Sequence, residues 1–254
     1  MPKPTIVFVP GGFHTPAIFD PVLPFLHAAG YPTTAVYLPS LGVSPGIPDL
    51  SADAKAVRIV ASGLAELGRE VVIVAHSYGG VPTTEALQGL SKKEREAEGH
   101  TGGVIALLFI SAHLPAKGQI PVESGKSCSP EEDASPSIIR TVPGGDPTAL
   151  FCENPIESFY HDVDPAEGKY YASLLRSQSL GPFLTTMTYE SYRHIPSSYL
   201  LLLNDRAVCL AKQKRMAKNA GIERLLGPMN TGHSPFLSRP EEVSNFIQKV
   251  AEGD

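Results

Sequence analysis

Hydrophobic positions along the chain form short runs rich in β-branched residues, and stretches with helical periodicity separate these runs. Each run has the length of a strand, and all fall far short of the about 20 apolar residues that cross a bilayer. Alternation of such runs with helices is typical of βαβ units around a parallel sheet. The predicted strands are Thr5–Val9, Thr34–Leu38, Glu70–Ala75, Val104–Ser111, Ser198–Leu203 and Arg224–Gly227.

The segments between these runs carry apolar residues at three- and four-residue steps, the spacing of one helix face. The predicted helices are Asp20–Ala29, Ser51–Leu67, Gly79–Leu90, Leu210–Asn219 and Pro240–Val250. In the helix that begins at Ser51, we expect one apolar stripe to face the sheet. That stripe consists of Ala52, Ala56, Ile59, Val60, Gly63, Leu64 and Leu67.

Residues 114–197 interrupt the alternation, because strand-like runs disappear there and ten of the 24 prolines of the chain occur there. Aromatic residues such as Phe159, Tyr160, Tyr170 and Tyr171 follow helical spacing in its second half. We therefore predict an α/β fold with a sheet of about six mostly parallel strands and helices on both faces. Its core would comprise residues 1–113 and 198–254, and residues 114–197 would form an inserted, mainly helical cap.

Composition excludes several function classes. Hydrophobic residues make up 42% of the chain, enough for a buried core, so disorder is set aside. The net charge of −5, without tryptophan or a basic stripe, does not indicate a nucleic-acid partner. The run Thr5–Val9 is too short for a signal peptide, so we expect a soluble, cytoplasmic protein without membrane contact. Cys128, Cys152 and Cys209 lack CxxC spacing, which predicts free thiols and no metal site.

A serine stands in a strand–turn–helix context at residues 70–90. Ala75-His-Ser-Tyr-Gly79 matches the small-x-Ser-x-Gly form of a nucleophile turn, with alanine in place of the first glycine. The small residues are needed because neighbouring backbone crowds the turn. A serine that only caps the helix is the alternative, but that role does not require the glycine spacing. We predict that Ser77 is a nucleophile.

A serine nucleophile needs a base, and a carboxylate that holds the base in one tautomer. Asp205 and His233 follow Ser77 in the chain order Ser, Asp, His, and each lies in a loop after a predicted strand. The competing acid position after the strand at 104–111 offers no carboxylate. His14 and His113 could line the pocket, whereas His76 is interpreted as a packing residue.

Acyl transfer also needs N–H donors for the developing oxyanion. We expect one from Tyr78, directly after the nucleophile, and one from Gly12. Gly12 and Phe13 lie in the loop after the first strand, where glycines let backbone approach a substrate. A nucleotide-binding loop is disfavoured there because neither G-x-G-x-x-G nor G-x-x-x-x-G-K is present.

These motifs resemble the α/β-hydrolase superfamily, and within it the branch of plant methylesterases, salicylate-binding esterases and hydroxynitrile lyases. The resemblance rests on the strand before Pro10-Gly11-Gly12, on the segments 75–80 and 204–205, and on Gly232-His233. It implies a triad of Ser77, Asp205 and His233, with oxyanion donors at Gly12 and Tyr78. The lyases of the branch carry a lysine directly after the catalytic histidine. Here Ser234 stands at that position, so the resemblance is to the esterases.

The main hypothesis is therefore a serine hydrolase that cleaves a carboxylic ester or lactone of a small to medium, partly apolar molecule, without metal or organic cofactor. One alternative is a carbon–carbon bond hydrolase, or an acyl-transfer or cyclising enzyme of secondary metabolism, on the same triad. Another is a ligand receptor with a vestigial hydrolase site. The family resemblance leaves both a monomer and a homodimer open.

Overall fold

A computed structural model of the protein describes residues 2–124, 139–141 and 145–253. The strands of these residues are β1 Thr5–Val9, β2 Thr33–Ala35, β3 Glu70–His76, β4 Gly103–Ile110, β5 Ile139–Arg140, β6 Ala149–Cys152, β7 Gln178–Ser179, β8 Ser197–Leu202 and β9 Arg224–Met229. The α-helices are α1 Leu23–Ala28, α2 Ser51–Glu66, α3 Gly80–Ala86, α4 Lys92–Ala97, α5 Pro155–Phe159, α6 Pro165–Leu174, α7 Leu210–Asn219, α8 Pro235–Ser238 and α9 Pro240–Glu252. Short 3-10 helices cover Pro16–Val22, Ser77–Gly79, Pro121–Glu123, Gly181–Leu184 and Ser191–Arg193.

The main sheet has six strands in the order β2-β1-β3-β4-β8-β9, and all its neighbouring strands are parallel. Side chains of successive strand residues point to opposite faces, so each face has its own core. Ile6 and Phe8 of β1 pack in the core under α1 and α9, whereas Val7 and Val9 pack in the core under α2 and α3. The predicted fold class, with helices on both faces, is confirmed.

The predicted apolar stripe of α2 is confirmed in part: Ala56, Val60 and Leu64 pack against the core, but the centre of the buried face is shifted away from Ile59 and Leu67. Ile59 and Leu67 are 58% and 77% exposed. The face toward the sheet carries alanines, one valine and an aspartate, because small side chains let the helix lie close to the strands. The buried residues of α2 are Asp53, Ala54, Val57, Ala61 and Ala65.

The helix predicted at 79–90 ends earlier, at Ala86. The next amide, that of Leu87, donates a hydrogen bond of 3.3 Å to Ser191 Oγ. A side chain from another segment therefore replaces the helical acceptor, and the chain turns away. The predicted helix at 20–29 is likewise shorter, since a 3-10 helix over Pro16–Val22 precedes α1.

Residues 114–197 lie between β4 and β8 and contain the helices α5 and α6. They also contain β5, β6 and β7, which form a small antiparallel sheet that the sequence did not predict. These strands are two to four residues long, too short to show an alternating pattern. Most of segment 124–148, with Cys128, lies outside the described residues, and the division into core and cap stays a prediction.

Two further expectations concern single features. Over the described ranges, none of the helices is both long and apolar enough to cross a membrane. Cys152 is a free thiol, as predicted.

Candidate active site

Ser77 lies in the turn between β3 and α3, at the carboxyl edge of the sheet. Its φ of 51° places a non-glycine residue in the left-handed region, an unfavourable conformation that proteins retain mainly at functional positions. A Cβ on Gly79 would lie 2.4 Å from the carbonyl oxygen of Val9 and 2.6 Å from that of Pro10. The turn is therefore pressed against the end of β1, which is the crowding that the small-x-Ser-x-Gly spacing predicted.

Asp205 and His233 form a buried pair. Asp205 Oδ2 lies 2.7 Å from His233 Nδ1, and both side chains are at most 1% exposed. The other carboxylate oxygen, Oδ1, accepts hydrogen bonds of 2.8 Å from the amides of Ala207 and Val208. Because the carboxylate accepts, Nδ1 is the protonated nitrogen of His233, and Nε2 keeps the lone pair that a general base needs.

Ser111 contributes to this pair and was not predicted. It follows β4 at the competing acid position, and its Oγ donates a 2.6 Å hydrogen bond to Asp205 Oδ2. Asp205 Oδ2 thus accepts from both Ser111 and His233. The available signal was a polar residue at a strand end. A hydroxyl at that position does not by itself distinguish a site residue from an ordinary serine at a strand end.

His76 connects Ser77 with the loop of His233. Its Nε2–H donates a 2.9 Å hydrogen bond to the carbonyl oxygen of His233, and the two imidazole centroids lie 4.5 Å apart. No hydrogen bond within 3.5 Å joins Ser77 Oγ to His233 among the residues that the structure describes. The three predicted residues therefore meet at one edge of the sheet, with the Asp205–His233 contact formed and the serine contact open.

Asp162, in the segment predicted to form the cap, holds the loop that carries His233. Asp162 Oδ2 accepts hydrogen bonds from the amide of Gly232, at 2.6 Å, and from Ser238 Oγ, at 3.0 Å. A Cβ on Gly232 would lie 2.5 Å from Asp162 Oδ1. Glycine directly before His233 is thus what allows this close contact.

Phe159, at the end of α5, covers the imidazole of His233. The two rings are stacked with centroids 5.3 Å apart, and Phe159 is 3% exposed. Its ring also meets that of His14 edge-on at 5.1 Å. The aromatic cover separates His233 from bulk water, so a proton transfer there would occur in a medium of low polarity.

The predicted oxyanion loop is held on its carbonyl side by His14. His14 Nδ1–H donates a 2.7 Å hydrogen bond to the carbonyl oxygen of Gly12, and the Tyr160 hydroxyl donates one of 2.8 Å to His14 Nε2. Phe13 follows with φ of 68°, and its amide donates to Gln178 Oε1 at 3.4 Å. The Phe13 amide is therefore engaged, whereas the Gly12 amide donates to no group in the described ranges.

Three imidazoles near Ser77 and His233 are neutral near pH 7. Burial lowers the pKa of His14 to about 3 and that of His113 to about 4. Burial, and then the charge of a protonated His233, lower the pKa of His76 well below its ordinary value. His14, His76 and His113 therefore carry no charge near pH 7, whereas His233 is in contact with the carboxylate of Asp205.

Among the described residues, no three or more His, Cys, Asp or Glu side chains form a group able to hold a metal ion. A cleft of about 800 Å³ is lined by residues such as Glu70, Ser197 and Arg224. It lies at the amino ends of β3, β8 and β9. Open α/β sheets place their chemistry at the carboxyl ends of strands, where Ser77 lies, so we do not assign the reaction to that cleft.

The chain is similar to known proteins over nearly its whole length. The family model described as "Alpha/beta hydrolase family" matches residues 6–246. The alpha/beta hydrolase nvfD of Aspergillus novofumigatus (strain IBT 16806) is 32% identical over 253 residues, which cover 99% of this chain and 98% of that protein. Methyl jasmonate esterase 1 of Vitis vinifera is 24% identical, covering 97% of this chain and 96% of that protein.

A crystal structure of polyneuridine aldehyde esterase superposes with a TM-score of 0.79 over 98% of this chain and 99% of that chain, at 19% identity. At this identity the superposition shows the fold alone. The relatives confirm the resemblance to the methylesterase branch and the prediction of an α/β-hydrolase enzyme. The match over residues 6–246, together with the 32% identity along nearly the whole chain, shows that the protein belongs to the alpha/beta hydrolase family.

Proposed function

We propose that the protein is a serine hydrolase that cleaves a carboxylic ester or lactone of a small to medium, partly apolar molecule. The observation that carries the proposal is the buried 2.7 Å contact between Asp205 and His233 beside the strained turn of Ser77. The names of similar proteins also support the proposal, since they include a methyl jasmonate esterase and a pyrethroid hydrolase.

In the first half of the reaction, Ser77 Oγ attacks the substrate carbonyl carbon and His233 Nε2 takes the hydroxyl proton. Asp205 remains ionised and stabilises the imidazolium through Nδ1–H. The amides of Gly12 and Tyr78 donate to the oxygen that gains negative charge, and each such donor contributes about 10²–10³ in rate. The tetrahedral intermediate then collapses. The bond to the leaving alkoxide breaks, His233 returns the proton to it, and an acyl-enzyme on Ser77 remains.

In the second half, water gives a proton to His233 and attacks the acyl carbon. Collapse of the second tetrahedral intermediate releases the carboxylic acid and restores the Ser77 hydroxyl. No redox step or cofactor enters this scheme. The cap, residues 114–197, would shape the acyl and alcohol pockets, since Phe159 and Gln178 already lie against the residues of the site.

The test uses an activated aryl ester, 4-nitrophenyl acetate, with product release followed in the first seconds. Wild type is expected to show a burst of nitrophenolate equal to the enzyme concentration, and Ser77→Ala is expected to show none. Ser173→Ala, which removes an exposed hydroxyl on α6, is the matched control and should retain the burst. Unchanged turnover in Ser77→Ala would refute the proposal.

The alternatives on the same residues are distinguished by their products when the assay is extended to a panel of esters, lactones and β-diketones. A carbon–carbon bond hydrolase would cleave a β-diketone and not the esters, and an acyl-transfer enzyme would pass the acyl group to an added alcohol in preference to water. A receptor with a vestigial site would bind a ligand tightly without turnover of any ester or lactone in the panel.

A further inference from the structure

Asp53 is a buried carboxylate that the proposed reaction does not use. It lies in the first turn of α2 and is 0% exposed. Its Oδ1 accepts a 2.9 Å hydrogen bond from the amide of Ser40, and its Oδ2 accepts from Ser40 Oγ at 2.5 Å and from the Tyr78 hydroxyl at 2.6 Å. Burial raises the pKa of Asp53, and these donated bonds act in the opposite direction. Removing a carboxylate from water costs free energy even when three donors satisfy it. We therefore asked which groups this carboxylate holds in place.

From Ser40 the hydrogen bonds continue to the oxyanion loop. Ser40 Oγ accepts a 2.6 Å bond from Gln178 Nε2, and Gln178 Oε1 accepts from the Phe13 amide at 3.4 Å. An amide N–H can only donate, so Oε1 must face Phe13 and Nε2 must face Ser40. Each hydrogen bond in this series is therefore donated in the direction of Asp53, and the series ends at the negatively charged carboxylate of that residue.

The second branch of the network ends on the residue after the nucleophile. Tyr78 is 2% exposed, and its hydroxyl donates to Asp53, while its amide follows Ser77 directly. Asp53 is thus one bond from the side chain of Tyr78 and, through Ser40 and Gln178, three bonds from Phe13. The Phe13 amide and the Gly12 carbonyl belong to one peptide unit, whose other side is held by His14 at 2.7 Å. Both residues assigned as oxyanion donors, Gly12 and Tyr78, are therefore tied to the same carboxylate.

Gln178 brings the cap segment into the network. It lies on β7, which is attached to the 40–41 segment by a bridge to Leu41 and by the bond from the Ser179 amide to the Ser40 carbonyl, at 2.9 Å. Gln178 is 1% exposed, and its Oε1 lies 3.8 Å from the position of a Cβ on Gly12. A residue of the cap segment thus supports the oxyanion loop from directly behind Gly12.

We propose that Asp53 is the positioning residue of the oxyanion hole, acting through Tyr78 on one donor and through Ser40 and Gln178 on the other. This inference rests on the proposed serine-hydrolase function. The network fixes the two donor segments before substrate arrives, so that no reorganisation is needed when charge develops on the carbonyl oxygen. Its loss should weaken binding of the transition state more than binding of the ester itself.

The experiment compares Asp53→Asn, Tyr78→Phe and Gln178→Leu with wild type on the same aryl ester. The amplitude of the nitrophenolate burst counts the folded, competent sites, and kcat is normalised to it. We expect kcat to fall about tenfold or more in Asp53→Asn, below the about 10²–10³ that complete loss of a donor costs, with KM within about twofold. Affinity for a boronic acid, which forms a tetrahedral adduct with the serine, should fall in proportion to kcat. Affinity for the product acid should stay unchanged.

Two comparisons keep the outcome decisive. Glu241→Gln makes the same carboxylate-to-amide change at an exposed site on α9 and should match wild type. If Asp53→Asn does not fold, Tyr78→Phe and Gln178→Leu decide, because the first removes one side-chain bond of the network, the second removes two, and both leave the backbone donors. Adding Tyr78→Phe to Asp53→Asn should cause no further loss, since Asp53→Asn already removes the carboxylate to which the Tyr78 hydroxyl donates.

The failures are distinguishable. A wild-type enzyme without a burst on any ester would refute the proposed function. A wild type with a normal burst, and three variants with wild-type kcat and boronic-acid affinity, would overturn the role of Asp53 alone.

Discussion

Ser111 Oγ and His233 Nδ1 both contact the same carboxylate oxygen, Oδ2 of Asp205, at 2.6 and 2.7 Å. Ser111 therefore sets the direction in which Asp205 faces its histidine. We predict that Ser111→Ala lowers kcat about tenfold with little change in KM, because a hydrogen bond to a charged group is worth about 1.5–3 kcal/mol and water replaces part of it. Steady-state kinetics on the aryl ester measure this.

The control for Ser111 is Ser111→Gly. Ser111 has φ of 43°, which glycine adopts without strain, so the glycine variant loses the hydroxyl while relieving the backbone. If the hydroxyl is what matters, kcat falls by the same factor in Ser111→Ala and Ser111→Gly, although the glycine variant has a higher Tm than the alanine variant. Wild-type kcat in both would show that Asp205 is held by its backbone contacts alone.

The buried histidines predict how stability depends on pH. His14 and His76 are 3% and 0% exposed, and their folded-state pKa values lie below the unfolded value near 6.5, to about 3 for His14. The unfolded chain therefore binds more protons below pH 6.5, so the stabilisation is present above that pH and is lost as pH falls toward 3. At pH values well below 6.5 and above its own folded-state pKa, each such histidine adds a slope that approaches about 1.4 kcal/mol per pH unit. Urea unfolding at pH 7, 6 and 5 measures the slope.

His14→Phe should reduce the pH slope of the free energy of unfolding by the contribution of one histidine, even if the variant is less stable than wild type at pH 7. His100→Ala, at an exposed position, should leave the dependence as it is in wild type. An equal slope in His14→Phe and wild type would mean that His14 binds as many protons in the folded protein as in the unfolded chain, so that burial does not lower its pKa.

How far the sequence predicts the site depends on whether a signal is local. Ser77 was predictable because strand, small-residue turn and helix occupy consecutive positions. Asp205 and His233 were predictable because chain order and strand ends limit the choice, although their roles stay a proposal. Gln178 was not, because its partner Ser40 lies 138 positions away and no pattern in the chain connects them.

Asp53 was missed for a different reason. The spacing of apolar residues in α2 predicts a face that includes Ile59 and Leu67, whereas these two side chains are exposed and the most buried face lies beside that stripe. An aspartate in the first turn of a helix also has an ordinary interpretation, since it stabilises the helix dipole. Only the packing of α2 against the sheet shows that Asp53 faces inward.

Phe159 should contribute to both stability and catalysis, since its ring covers His233 and is 3% exposed. Phe159→Ala is expected to lower the free energy of unfolding by about 3–5 kcal/mol, as for other buried phenylalanines. Its kcat per competent site should also fall, because water reaches the imidazole. Tyr170→Ala, which removes an aromatic ring that is 59% exposed in the same segment, should change stability by less than about 0.5 kcal/mol. Equal Tm values for Phe159→Ala and wild type would contradict the packing role.

Gly79 lies in the turn at Ser77, and Gly63 provides a control for replacing a glycine by alanine. A Cβ on Gly79 would lie 2.4 Å from the Val9 carbonyl oxygen, and backbone atoms cannot yield as a flexible side chain does. We expect Gly79→Ala to push the turn away from β1, so that the burst disappears and Tm falls. Gly63 lies inside α2 with no atom within 4 Å of its Cβ position, so Gly63→Ala should stabilise by about 0.5–1 kcal/mol and keep full activity. A burst of wild-type size in Gly79→Ala would show that the turn tolerates displacement, and that close contact with β1 is not what places Ser77.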